Sequence, residues 1–349
     1  METVTPTSQR PCVVVALPAK QDATSVVAFG ELLSLRAGAD LHLVHVISPV
    51  FGLMTVHQYR QPLDFFPEGE EGLARNYHEE WEHIEQSRKE SCAKEFQALL
   101  NSIDPRVHAS LTVIEGDIEA AVMDFVLHHP TLMVLVGASS SKLHILPALF
   151  SRTMQFMADS RAPVMVVPYD WKLKDKGRDR KIKILAADDL DPSSEVASKA
   201  IDLYALLGHA EIMHVNVQDY SELMVLASDY GVSSYFGDFI YPYTEQVPYA
   251  SEALNGAAME QNLKVHFQNL CAVKKVSVAE RDYTASFLIG NVYDQLESVI
   301  QQFDADIVIC GGHHHESLWS FFHYESMPDR LKLKTHRPVL IAPPVKRAA

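Results

Sequence analysis

Val13-Val14-Val15-Ala16-Leu17 and Ile182-Lys183-Ile184-Leu185-Ala186-Ala187, about 170 residues apart, are the two runs whose pairing decides the fold. The landmarks behind each run come in the same order. His45-Val46, within Leu41–Ile47, is answered by His214-Val215 within Ile212–Val217. Gly116, behind Leu111-Thr112-Val113-Ile114, is answered by Gly290. Met133-Val134-Leu135-Val136-Gly137 is answered by Ile307-Val308-Ile309-Cys310-Gly311-Gly312, and Ala162–Pro168 by Arg337–Pro343. The offset grows only from 169 (His45 to His214) to 175 (Pro163 to Pro338), so a few small insertions explain it. Repeats of about 20–50 residues build solenoids. A repeat this long predicts two whole domains of one fold, residues 10–168 and 182–345, with 169–181 as the linker.

Strand-like runs alternate with stretches long enough for amphipathic helices. In the first copy strands are expected at 12–17, 41–47, 107–114, 132–136 and 163–167, with helices at about 22–37, 70–102, 117–129 and 151–160. The second copy repeats the order with strands at 182–187, 210–217, about 275–282, 306–310 and 338–342. Strand–helix alternation gives right-handed crossovers and a parallel sheet covered on both faces. Near-continuous apolar strands such as Val13–Leu17 suit that double burial. The fold class is therefore α/β: two tandem, doubly wound, five-stranded parallel-sheet domains. The long segments between the second and third strands, Tyr59–Glu70 and the aromatic-rich Tyr230–Tyr249, are candidate lids or partner surfaces as well as plain folded-back loops.

Composition removes several functions. A net charge of −15 opposes nucleic-acid binding, whose affinity comes largely from Lys and Arg on phosphates. The basic stretch Lys172–Lys181 is short, acid-interrupted and without aromatics, and reads as a solvated linker. No apolar run approaches the length that spans a bilayer, and Met1–Pro6 is unlike a signal peptide. Cys12, Cys92, Cys271 and Cys310 fall singly, so neither a zinc ribbon nor a disulfide framework is expected, and a cytoplasmic location fits. P-loop, nucleophile-elbow and dinucleotide glycine motifs are absent, and no enzyme is expected. His313, His314, His315 and His323, with Glu316, concentrate imidazoles, but no His-x3-His pairing or HExxH accompanies them, and no metal is expected. His45 and His214 read as packed, hydrogen-bonded strand residues.

In an open parallel sheet ligands bind beyond the carboxyl ends of the strands. At those ends the strand order, the duplication and the Pro-Val-apolar last strand together resemble the universal stress protein family, over almost the whole chain as two tandem copies. The resemblance implies an adenine-nucleotide α-hydrolase-like sheet, an Asp after the first strand and a G-x2-G-x9-G-[S/T] nucleotide loop after the fourth. Only fragments of that loop are here. The first copy gives Gly137, Ser140 and Phe150-Ser151, with Pro18 in place of the Asp. The second keeps Asp188 and gives Gly312, His315 and Glu325-Ser326. Phe150 sets a ring, and Glu325 a carboxylate, where backbone would face phosphate.

The second loop, Gly312-His313-His314-His315-Glu316-Ser317-Leu318-Trp319-Ser320, is similar to the GHHxxxWS loop of the branch typified by universal stress protein A, which is not regarded as an ATP binder. By resemblance, then, the family-equivalent site positions are Asp188, Val215, Gly312 and Ser326 in the second copy and Gly137, Ser140 and Ser151 in the first. The expected function is a non-catalytic stress-response module for regulation or scaffolding, without cofactor and with protein partners or a second copy of itself. The alternative is ATP or AMP binding by the second domain. The resemblance also implies that domains pair through their last strands, here Pro163–Val167 against Pro338–Ala342 as an internal pseudo-dimer, which would cover two sheet edges.

Overall fold

The computed structural model of the chain describes residues 10–17, 23–47, 71–116, 118–138, 162–172, 180–190, 194–218, 256–311 and 335–342. Contacts divide them into two compact units, one running to Gly137 and including Ala162, the other containing Ala138 and everything from Pro163.

The first unit is built from β1 (Cys12–Leu17), α1 (Thr24–Ala37), β2 (Asp40–Ile47), α2 (Glu71–Asn101), β3 (Ala109–Glu115), α3 (Ile118–His128) and β4 (Thr131–Ala138). Its strands run in the order β3-β2-β1-β4, and β1 is parallel to both neighbours. Every residue of β1 is buried, which is why its sequence is apolar without alternation.

The second unit begins with β5 (Val164–Pro168) and continues through β6 (Ile182–Ala187), α4 (Val196–Leu207), β7 (Ala210–Gln218), α5 (Gly256–Lys274), β8 (Tyr283–Ile289), α6 (Val292–Phe303), β9 (Ile307–Gly311) and β10 (Val339–Ala342). The strand order is β5-β10-β9-β6-β7-β8. All pairs are parallel except β5 with β10, which run antiparallel with Val166 opposite Val339, Met165 opposite Leu340 and Val164 opposite Ile341. At the repeat's offset of 175, Met165 and Leu340 are equivalents of each other, so the two last strands meet as the sequence leads one to expect.

Three sequence expectations need correction. The third strand of the second copy is not at 275–282. There Lys275 takes a positive φ of 57°, and Glu280–Asp282 form a 3-10 turn. The strand is Tyr283–Ile289. Val276 and Val278 mimic a strand by alternation but lie in the turn beyond α5, and Gly290 already pointed to the true position. Gly116 and Gly290 both hold φ of 146°, a conformation that side chains with a Cβ rarely adopt, and each ends its edge strand by donating to a β2 or β7 carbonyl (Ile47 or Gln218) at 3.1 and 3.0 Å.

The second correction concerns the histidines. Leu17 pairs with His45, whereas Asp188 donates its N–H to Val215 O at 2.9 Å and so lies opposite Asn216. Glu115 pairs with Ile47 and Ile289 with Gln218, which fixes the β2-to-β7 offset at 171. His45 is therefore the equivalent of Asn216, not of His214. A slip of two residues keeps every side chain on its own face, so a period-two pattern cannot detect it.

The end of the basic stretch is also less solvated than expected. Arg180 grips the buried Asp306 through two contacts of 2.5 and 2.6 Å. Lys181 meets Asp282 at 2.6 Å, and that hydrogen bond holds the Asp282 carboxyl below its ordinary range. The residues between Leu173 and Asp179 lie outside the described set.

Candidate functional site

The carboxyl ends of β6 and β9 flank the point where the strand order reverses, the place where open α/β sheets hold ligands. Asp188 stands one residue beyond β6 and is buried. Its Oδ1 accepts from Ser194 Oγ at 2.8 Å and from the Leu190 N–H at 3.0 Å. Its Oδ2 meets His214 Nε2 at 3.1 Å. Asn216 Nδ2 donates to the Asp188 carbonyl at 2.8 Å. Burial alone would raise the pKa of this carboxyl, but the hydrogen bond and charge of His214, with Ser194 and Leu190, outweigh it and hold the group below its ordinary value.

His214 is fully buried and uses both ring nitrogens. Nε2 faces Asp188, and Nδ1 lies 3.1 Å from the Tyr283 hydroxyl. That hydroxyl also reaches Leu263 O of α5 at 3.3 Å. Phe267 of α5 stacks on Tyr283 with centroids 4.1 Å apart and closes the chain from above. Burial, then Cys271 and Asp188, push the Tyr283 pKa well above its ordinary value, so the phenol stays protonated.

The first unit builds the same place differently. At the offset of 171 Leu17, and not Pro18 as the sequence alone suggests, stands for Asp188, because the slip that moves the histidines moves the first strand with them. Leu43 stands for His214 and Ala109 for Tyr283. Leu17 and Leu43 are fully buried. His45, the counterpart of Asn216, keeps only the shared part, a 3.1 Å contact from Nδ1 to the Leu17 carbonyl. Phe96 of α2 packs 4.8 Å from its ring. Both histidines are thus packed and hydrogen-bonded, as the sequence led us to expect, but only His214 belongs to a polar chain.

Of the positions implied by the family resemblance, Gly137 is half-buried within β4, Val215 is fully buried in β7, and Asp188 is as described. Ser140, Ser151, Gly312 and Ser326 lie outside the described residues, as do Pro18, Phe150, the histidine loop, Glu325 and the aromatic segments 59–70 and 230–249. Sequence reasoning missed Ser194 and His214 as partners of Asp188, and Tyr283 as the partner of His214. The spacing of His214 and Asn216, two apart on one strand face, was the available signal. Among the described residues no group of three or more His, Cys, Asp or Glu is placed to hold a metal, and no helix is long and apolar enough to cross a membrane.

No protein-family model matches the sequence, nor does any curated protein sequence. Solved structures do. A universal stress protein from Archaeoglobus fulgidus DSM 4304 is 13% identical and matches 96% of this chain and 97% of its own, with a TM-score of 0.51. A functionally unknown protein from Pseudomonas aeruginosa PAO1 is 12% identical over 97% of this chain and 93% of its own, at 0.47. A universal stress protein from Archaeoglobus fulgidus in complex with dAMP is 15% identical over 45% of this chain and 96% of its own, at 0.24. The duplicated strand order and the end-to-end match to the first of these lead to one conclusion: the chain has the universal stress protein fold, in two tandem copies.

Proposed function

We propose that this chain is a non-catalytic module of universal stress protein type, acting in regulation or scaffolding by presenting surfaces to protein partners or to a second copy of itself. The observation that carries the reading is the state of the strand ends. In the first unit Leu17, Leu43 and Ala109 offer a nucleoside no side-chain hydrogen bond. In the second unit both oxygens of Asp188 are engaged within the fold. Phe150 and Glu325, in place of loop glycines, add to the same reading. The test is mass spectrometry of small molecules released from the purified full chain, together with calorimetric titration with ATP and AMP. No nucleotide and no heat are expected. Co-purified nucleotide, or binding at about micromolar Kd, would overturn the proposal.

A second reading, adenosine or AMP binding by the second unit, is favoured by one observation. Asp188 is a carboxylate held ionised at the strand-order reversal, where a ribose hydroxyl or an adenine amine could donate to it. On this reading Asp188→Asn weakens binding of adenosine and of AMP alike, because the carboxylate would read the nucleoside and not the phosphate.

A further inference from the structure

We infer that Asp188, His214 and Tyr283 form a proton-linked switch that ties the carboxyl end of β6 to helix α5 through the Leu263 carbonyl. The inference stands apart from any ligand and concerns the protein alone.

The first support is the comparison of the two units. The fold does not need a polar chain here, since Leu17, Leu43 and Ala109 fill the equivalent positions in the first unit. Nor does stability explain it, because a buried ion pair rarely outperforms well-packed apolar residues of similar volume. The three residues that differ between the units, from β6's end, β7 and β8, form one connected chain through His214.

The second support is the proton inventory. His214 is shielded from water, so its ring must be satisfied by the partners in place. Nε2 faces a carboxylate and carries a hydrogen in either charge state. Nδ1 lies against a hydroxyl that has a single proton and two acceptors within reach, His214 Nδ1 at 3.1 Å and Leu263 O at 3.3 Å. With the imidazole neutral, Tyr283 donates to Nδ1, and the α5 carbonyl loses that donor. With the imidazolium, Nδ1–H donates to the tyrosine oxygen, and the hydroxyl turns to donate to Leu263. Both states are complete, and they differ in whether β8 is hydrogen-bonded to α5.

Among the described residues the titratable groups facing this chain are Asp188 from β6's end, Tyr283 from β8 and the Cys271 thiol from α5. α4 turns an apolar face inward with Val196, Ala197, Ala200, Ile201, Leu203 and Leu207. Its Lys199 and Asp202 pair with Glu195, Lys274 and each other. Among the described residues Asp188 is the one carboxylate in contact with the imidazole, so a proton taken up there meets a fixed counter-charge.

The experiment is nuclear magnetic resonance on the full-length protein across about pH 5 to 8, the range in which histidine ordinarily changes charge. Ring nitrogen shifts of His214 report its protonation, and amide exchange around Leu263–Phe267, corrected for intrinsic rates, reports the docking of α5. The two are expected to change with one midpoint, with α5 exchange slowing by about threefold to tenfold as His214 gains its proton, the worth of one hydrogen bond. Tyr283→Phe keeps the ring and removes the hydroxyl, and is expected to abolish the α5 response while His214 still titrates. A His214 that holds one charge state throughout, separate midpoints in the unaltered protein, or a pH response that survives in Tyr283→Phe would each overturn the inference.

Discussion

Asp188 shows how one buried side chain draws its surroundings into a single unit. Its pKa is held below the ordinary value near 3.8 by partners that outweigh burial. A group with a depressed folded pKa contributes stability that is present above the unfolded value and is lost as pH falls through the folded one. The contribution should therefore appear as coupling between Asp188 and His214 at neutral pH and fade below about pH 4. His214→Leu alone leaves a buried carboxylate without its main partner, which costs about 3–5 kcal/mol. Asp188→Leu with His214→Leu copies the arrangement of the first unit and should cost less than the sum of the single changes, by about 2 kcal/mol. Urea unfolding of the three variants at neutral and acid pH measures both effects. Additive single changes at neutral pH would show the pair to be uncoupled.

At the scale of elements, nearly every strand was legible because doubly buried strands advertise themselves by apolar runs of the right length. The exception is instructive. The edge strand β8 carries Thr284 and Ser286 where it is half-open, so its run is weaker than the spurious Val276–Val278 alternation in front of it. The glycine behind it was the better guide. Gly290→Ala would have to hold φ near 146° with its new methyl 2.9 Å from Gln295 Nε2, whereas Gly208, which closes α4 at φ 66°, has nothing near its open side. Thermal unfolding should show Gly290→Ala costing about 2–3 kcal/mol and Gly208→Ala about 1 kcal/mol. The reverse ranking would remove the argument that Gly290 terminates β8. The polar chain of the site was less legible, because Asp188, His214 and Tyr283 come from three separate segments and a two-residue slip hid which of them correspond to Leu17, Leu43 and Ala109.

For the whole molecule the duplication was readable, down to the meeting of the two last strands, because it left landmarks in a fixed order along the chain. What spacing alone could not express is membership. β5 is written at the end of the first repeat, yet its contacts place it in the second unit, with Val164 to Val167 wholly buried. A fragment of residues 163–349 should consequently unfold cooperatively and at a higher temperature than one of residues 180–349, which leaves an edge of β10 bare. Calorimetry of the two fragments decides it, and equal melting temperatures would mean that β5 contributes nothing to the second unit.

The same strand has a consequence for biosynthesis. β5 ends at residue 168 and β10 at residue 342, so 174 further residues must be made before the partner is complete. At about 5–20 residues per second the ribosome needs roughly 10–35 s to supply them. Throughout that interval the nascent chain carries a fully apolar strand with the edge meant for β10 still open, the form of surface that chaperones bind and that neighbouring chains on a polysome can pair with. Expression should accordingly be limited by the crowding of translating ribosomes, since the finished chain covers this edge itself.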